Sequence, residues 1–270
     1  MMRLAVELAD LLELELLGLF LEEASLRDLA SIPFARELRT LGGGWHPFDL
    51  ERLSLEMELA ARRGERMFTE AAKRLSARSQ FTVVRGSTAE TIESISQTGD
   101  IVMIIEPMSE AERATQPFSW LIEAAFRSAA AVMVVPPDVV RATGPVAAIA
   151  AAPSDPSIAT GAAIAAAAGE ELAIVAAYDG AADELPQGAL AESPGIKIHQ
   201  IAAGAIARLS RAHLFRALNH LKERLVVVTR GVLDNDLALQ MASARHVPVL
   251  IVEPSEATGS SAAADRQTKQ

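Results

Sequence analysis

Short apolar runs without polar alternation, set between segments of helical period, constrain this chain more than any other feature. Residues 101–106 (IVMIIE), 131–135 (AVMVV), 146–152 (VAAIAAA), 171–177 (ELAIVAA), 225–229 (LVVVT) and 248–253 (PVLIVE) are of strand length and almost wholly apolar. Strands written this way are covered on both faces, as in a parallel sheet flanked by helices. Right-handed crossovers place those helices on both sides of the sheet. The expected fold class is α/β, with parallel doubly wound sheets.

The segments repeat in order. In the first half a helix over 2–12 precedes a strand over 15–22. A helix over 49–76, opened by Asp49, leads to a strand over 80–85. Ser87 and Glu90 match a capping box before a short helix. The strand 101–106, a helix over 116–128 and the strand 131–135 close this half. In the second half the strand 146–152 precedes a helix to about 168, capped by Ser154 or Asp155. Strands 171–177 and 196–200 follow, then a helix over 205–221, the strand 225–229, a helix over 235–244 and the strand 248–253. Pro136-Pro137 and Gly144-Pro145 mark the break. The predicted organisation is a domain over 1–140, a domain over 141–254 and a disordered tail over 255–270. A sheet edge needs cover. The closing strands 131–135 and 249–253 are therefore expected to pair with each other as an intrachain pseudo-dimer, or with another chain as a homodimer.

Composition removes several functions. Net charge is −10, against the clustered Lys and Arg that nucleic acid or an anionic membrane requires. Aromatic residues are 4% of the chain, too few for a stacking platform. There is no Cys, hence no thiol nucleophile or Cys-ligated metal. No run reaches the ~20 apolar residues of a membrane span. The expected location is cytoplasmic.

The order of elements, with residues 244–252 (ARHVPVLIV) as the best local match and 128–136 (SAAAVMVVP) as a looser copy, resembles the universal stress protein family in its tandem form. Residues 6–22 and their counterpart 159–178 are similar to that family's first helix and second strand. The resemblance implies two domains with the adenine-nucleotide alpha hydrolase-like sheet, ordered 3-2-1-4-5. Two departures follow. The first half lacks the opening, central strand. Its absence leaves backbone groups unpaired at about 1–3 kcal/mol each where buried. The expectation is that residues upstream of Met1 are missing or that another segment fills the slot. The second departure concerns phosphate. ATP-binding members carry an Asp after the first strand and a Gly-x2-Gly-x9-Gly-Ser/Thr loop after the fourth. Here residues 150–153 read AAAP and 229–236 read TRGVLDND, keeping only Gly231. In the first half Glu106-Pro107-Met108-Ser109 holds the same place without a glycine.

Tight ATP binding is therefore not expected, nor is any catalytic residue, cofactor or metal. A residual ligand pocket would lie at the carboxyl ends of the second half's first and fourth strands, at Ala152, Ser154, Thr229, Arg230 and Gly231. The leading expectation is a non-catalytic stress-response protein that binds a partner or small ligand. The alternative is a regulator with weak ATP or AMP affinity. Asp234-Asn235-Asp236 reads as a helix cap before a cation site, since the further ligands of a calcium loop are missing. The five His show no metal spacing. Trp45, after Gly42-Gly43-Gly44, reads as packing on its own loop before covering a pocket. The basic helix bearing Arg208, Arg211 and Arg216 reads as a solvated face before an acidic partner's dock. Gly86-Ser87 reads as a helix cap before an anion site.

Overall fold

The computed structural model describes residues 2–23, 28, 32, 34–39, 44–73, 78–109, 116–178, 196–200 and 211–254. The expected tail, Gly42 and Gly43, and positions 201–210 with Arg208 lie outside them. The chain forms two compact units. One holds Met1–Ser96 with Ala114–Ser128, the other Gln97–Arg113 with Ala129–Gln270.

In the first unit, α1 (Met2–Leu11) leads to β1 (Leu16–Glu23), then to β2 (Arg36–Arg39) and β3 (Gly44–Pro47). α2 (Leu50–Ala72), β4 (Ser79–Gly86), α3 (Thr88–Ile95) and α4 (Gln116–Arg127) complete it. β1 and β4 run parallel, with Gly18 opposite Phe81 and Glu22 opposite Arg85. β2 and β3 form an antiparallel pair inside a segment that the sequence pattern left without elements. α2 starts where Asp49 predicts: its carboxylate accepts from the Arg52 N–H at 3.0 Å. Ser87 stands at the N-cap of α3, but its side chain makes no cap bond, so the predicted capping box does not form. Gly18 is present because there is no room for more. A Cβ there would lie 2.6 Å from the Phe68 ring and 2.7 Å from the Phe81 ring. Those rings pack with centroids 5.7 Å apart and tie α2 to the sheet.

The second unit is built on β5 (Ile101–Ile105), β6 (Ala131–Val135), β7 (Val146–Ala150), β8 (Leu172–Ala176), β9 (Ile196–Gln200), β10 (Leu225–Thr229) and β11 (Val249–Val252). Among the described residues these form one seven-stranded sheet, ordered β5-β6-β11-β10-β7-β8-β9. Every neighbouring pair is parallel except β6 and β11, which run antiparallel with Val134 opposite Val249. The helices are α5 (Pro156–Ala168), α6 (Arg211–Leu218) and α7 (Asn235–Arg245). Asp155, rather than Ser154, caps α5, and Asp234 caps α7 by accepting from the Leu237 N–H. All five residues of β7 are 0% exposed. The core lies here, where short β-branched and alanine side chains pack under the helices.

Two features differ from the sequence expectation. β6 pairs with β11, the other closing strand, so that β5 and β6, placed by pattern in a domain over 1–140, group with the second unit and not with β1 and β4. Residues 101–106, written like a strand covered on both faces, form the outer strand of that sheet. Ile101, Val102 and Met103 are half-buried and Ile105 is 37% exposed, and among the described residues β5 has a neighbouring strand on one side only.

An ion pair locks the underside of the sheet. Glu223 is 0% exposed and takes Arg245 Nε at 2.8 Å on one oxygen and Nη2 at 2.8 Å on the other. Arg245 Nη2 also donates to the Leu218 and Leu221 carbonyls. Beside this pair, Gly144 has φ +131°, and a Cβ on it would lie 2.3 Å from the Lys222 carbonyl oxygen.

Candidate functional site

β7 and β10 are adjacent and parallel, so the loops after them open at the same edge of the sheet. Open α/β sheets bind ligands at such an edge. The five residues named from the sequence divide between these loops, Ala152 and Ser154 after β7, Thr229 to Gly231 at and after β10.

The residue that joins the two loops is Asp155, which the sequence suggested only as a cap. It is 7% exposed. Its Oδ2 accepts from the Ala151 N–H at 2.8 Å, and its Oδ1 accepts from the Ser157 N–H at 3.0 Å. Oδ1 also accepts the hydroxyl of Thr229, 74 residues away. Thr229 is 6% exposed, and its Oγ1 in turn accepts from the Ser157 N–H at 3.2 Å. Ser157 Oγ donates to the Ile149 carbonyl at 3.0 Å. The helix N-terminus at Pro156 therefore has its first free N–H directed at protein oxygens. A helix N-terminus used for phosphate points such groups at the ligand.

Arg230 is engaged as well. Its Nε lies 2.6 Å from Glu253 Oε1, its Nη2 donates to the Ala130 carbonyl at 2.8 Å, and its backbone N–H donates to the Val252 carbonyl at 2.8 Å. Glu106, at the end of β5, is 3% exposed and accepts from Ser243 Oγ at 2.7 Å. Ser154 and Gly231 are exposed, Ala152 is half-buried, and Gly231 has φ +88°. The structure thus brings the five positions to one edge of the sheet. It adds Asp155 and Ser157 as partners of Thr229, and Glu253 as a partner of Arg230.

No protein-family model matches the sequence. No curated protein matches it either. Among solved structures, a universal stress protein from Archaeoglobus fulgidus DSM 4304 is similar to the chain. It has a TM-score of 0.56 and 14% identity, over 89% of this chain and 97% of that one. The chain has the fold of a universal stress protein. A functionally unknown protein from Pseudomonas aeruginosa PAO1 is also similar, at TM-score 0.47 and 14% identity, over 93% of this chain and 88% of that one.

Within this universal-stress-like fold a second opening lies in the first unit, which sequence reading missed. A cleft of about 700 Å³ is bounded by α2 and by the carboxyl ends of β1 and β4. Glu22 at its floor is 6% exposed, with Oε2 2.7 Å from Arg85 Nε. Glu51, Glu58, Arg62 and Glu65 line the helix side, and Arg62 is paired with Glu58 at 2.5 Å. The available signal was the spacing of 51, 58, 62 and 65 on one helical face. The pairing of Glu22 with Arg85 spans 63 residues and has no local signature. Trp45 is 61% exposed and does not line this cleft. Among the described residues no three His, Asp or Glu stand together as a metal site, and no helix is long and apolar enough to cross a membrane.

Proposed function

We propose that the chain is a non-catalytic, cytoplasmic, universal-stress-like protein that acts by binding a partner or small ligand. One observation carries this reading. At the edge where this fold takes ligands, the Asp155 carboxylate, the Thr229 hydroxyl and the Arg230 guanidinium all bond within the protein. A nucleotide would have to displace Asp155 from three donors, at a cost of roughly 1–3 kcal/mol for each buried group left unpaired. The carboxylates of Asp155 and Glu253, bonded to Thr229 and Arg230, would also repel an anion entering beside them. Among the described residues, the polar side chains of Asp155, Thr229 and Arg230 at these strand ends are engaged by the protein itself.

Thermal melting with ATP or AMP at millimolar concentration tests it. Each nucleotide should leave the midpoint within about 1 °C of the free protein, since a ligand present far below its Kd stabilises by almost nothing. A rise of several degrees, or phosphate release above buffer background, overturns the reading in favour of a nucleotide-binding regulator or a hydrolase.

A further inference from the structure

α2 and the two strands beneath it are closely packed at one end and open at the other. Toward its carboxyl end α2 is seated by Phe68, which meets the Phe81 ring and the backbone of Gly18. Toward its amino end Leu50 and Leu55 are exposed, as is Val83 on the strand side, and the cleft of about 700 Å³ opens among them. A cavity of that size is in the range that takes a small molecule.

The walls of the cleft are of two kinds. Leu50, Leu55 and Val83 supply apolar surface. Beside them Glu51, Glu58 and Glu65 stand seven residues and so two turns apart, a row with a spacing of about 10 Å along one side of α2. Glu22 and Arg85, opposite each other in the β1–β4 register, form the strand side. Four carboxylates and two guanidiniums line the cleft, so two carboxylates are left over. Glu58 pairs with Arg62 and Glu22 with Arg85. Among the described residues no ion pair engages Glu51 or Glu65.

This lining sets the chemistry of a ligand. The excess of carboxylates repels an anion. Carboxylates spaced about 10 Å apart cannot converge on one metal ion, which holds its oxygens at about 2–2.6 Å. A chain of methylenes with ammonium groups at intervals meets both kinds of wall, as long cationic side chains do when they lay their stems on apolar surface and keep their charged ends at the rim. The floor offers one more acceptor. Glu22 is buried, but the arginine that neutralises it has a side chain 68% exposed, so a ligand ammonium can take that arginine's place.

We propose that this cleft binds a linear aliphatic polyamine, its methylenes against Leu50, Leu55 and Val83 and its ammonium groups beside Glu51, Glu58 and Glu65. The proposal rests on the small-ligand reading and gives it a site and a ligand chemistry. It uses none of the residues at the β7–β10 opening, so the nucleotide melt and an amine titration can fail separately.

The probe is spermine, titrated calorimetrically into the full chain in magnesium-free buffer at about 0.1 M salt. Saturable one-to-one binding with a Kd below about 1 mM is expected. On the same unaltered chain 1,4-diaminobutane, too short to reach between neighbouring carboxylates of the row, should bind about tenfold more weakly or worse. Glu51→Gln combined with Glu65→Gln, both at exposed positions, should weaken spermine about fivefold or more. Arg85→Ala frees Glu22 and should tighten spermine about threefold or more. Arg63→Ala makes the same change of charge at an exposed position of α2 outside the cleft, and should leave the Kd within about twofold. Absence of saturable binding overturns the proposal. Equal binding of the short diamine, or displacement of spermine by magnesium at matched ionic strength, overturns it in favour of a general attraction of cations to an acidic protein. So does an Arg63→Ala effect as large as that of Arg85→Ala.

Discussion

Each unit holds an arginine against a buried glutamate, and the two pairs sit in different surroundings. In the second unit Glu223 is 0% exposed and Arg245 satisfies both of its oxygens and two backbone carbonyls. In the first unit Glu22 is also buried, at 7% exposure of its side chain, but the Arg85 side chain is 68% exposed. The same contrast runs through the strands. β8 lies between β7 and β9 and is buried along its length, whereas among the described residues β1 pairs with β4 alone and leaves Leu17 51% exposed. Both strands are mainly apolar, β1 up to Glu22 and Glu23. What separates them is the number of neighbours: a strand is buried by what flanks it, not by its own composition.

Substitutions can break this contrast. The largest effect is expected from Glu223→Ala, which strands a buried guanidinium. It should cost about 3–5 kcal/mol, read as a lower urea midpoint for the second unit. A cost under about 1 kcal/mol would mean that water reaches Arg245 and that the second unit is no better sealed than the first. Gly18→Ala comes next. Its Cβ would press on Phe68 and Phe81, and about 1–3 kcal/mol should be lost from the first unit alone, followed by amide exchange in β1 and β4. Arg85→Ala is expected to be the smallest change, about 1 kcal/mol or less, because its partner interaction is screened by solvent. An Arg85→Ala loss matching that of Glu223→Ala would erase the distinction between the two pairs.

Much of the fold was legible in the residues. The apolar runs of β7, β8 and β10 announce buried parallel strands because nothing polar interrupts them. Asp49 and Asp234 announce helix starts because their carboxylates can reach N–H groups within one turn. The candidate site was only half legible. Ala152, Ser154, Thr229, Arg230 and Gly231 could be placed at one sheet edge from strand order. That Thr229 and Arg230 are engaged by Asp155 and Glu253 could not, since those partners lie 74 and 23 residues away. Ser87 is the converse case. The local pattern for a capping box is complete, yet the side chain makes no cap bond.

The sequence by itself marked most of the strands and helices, β2 and β3 apart, because hydrophobic period and capping chemistry act over a few residues. Only the tertiary structure decided which strands become neighbours. β5 has the residues of a central strand and the position of an edge, and β5 and β6 joined the second unit's sheet rather than β1 and β4. Pairing depends on backbone groups that every residue carries alike, so side-chain identity marks a strand without naming its partner.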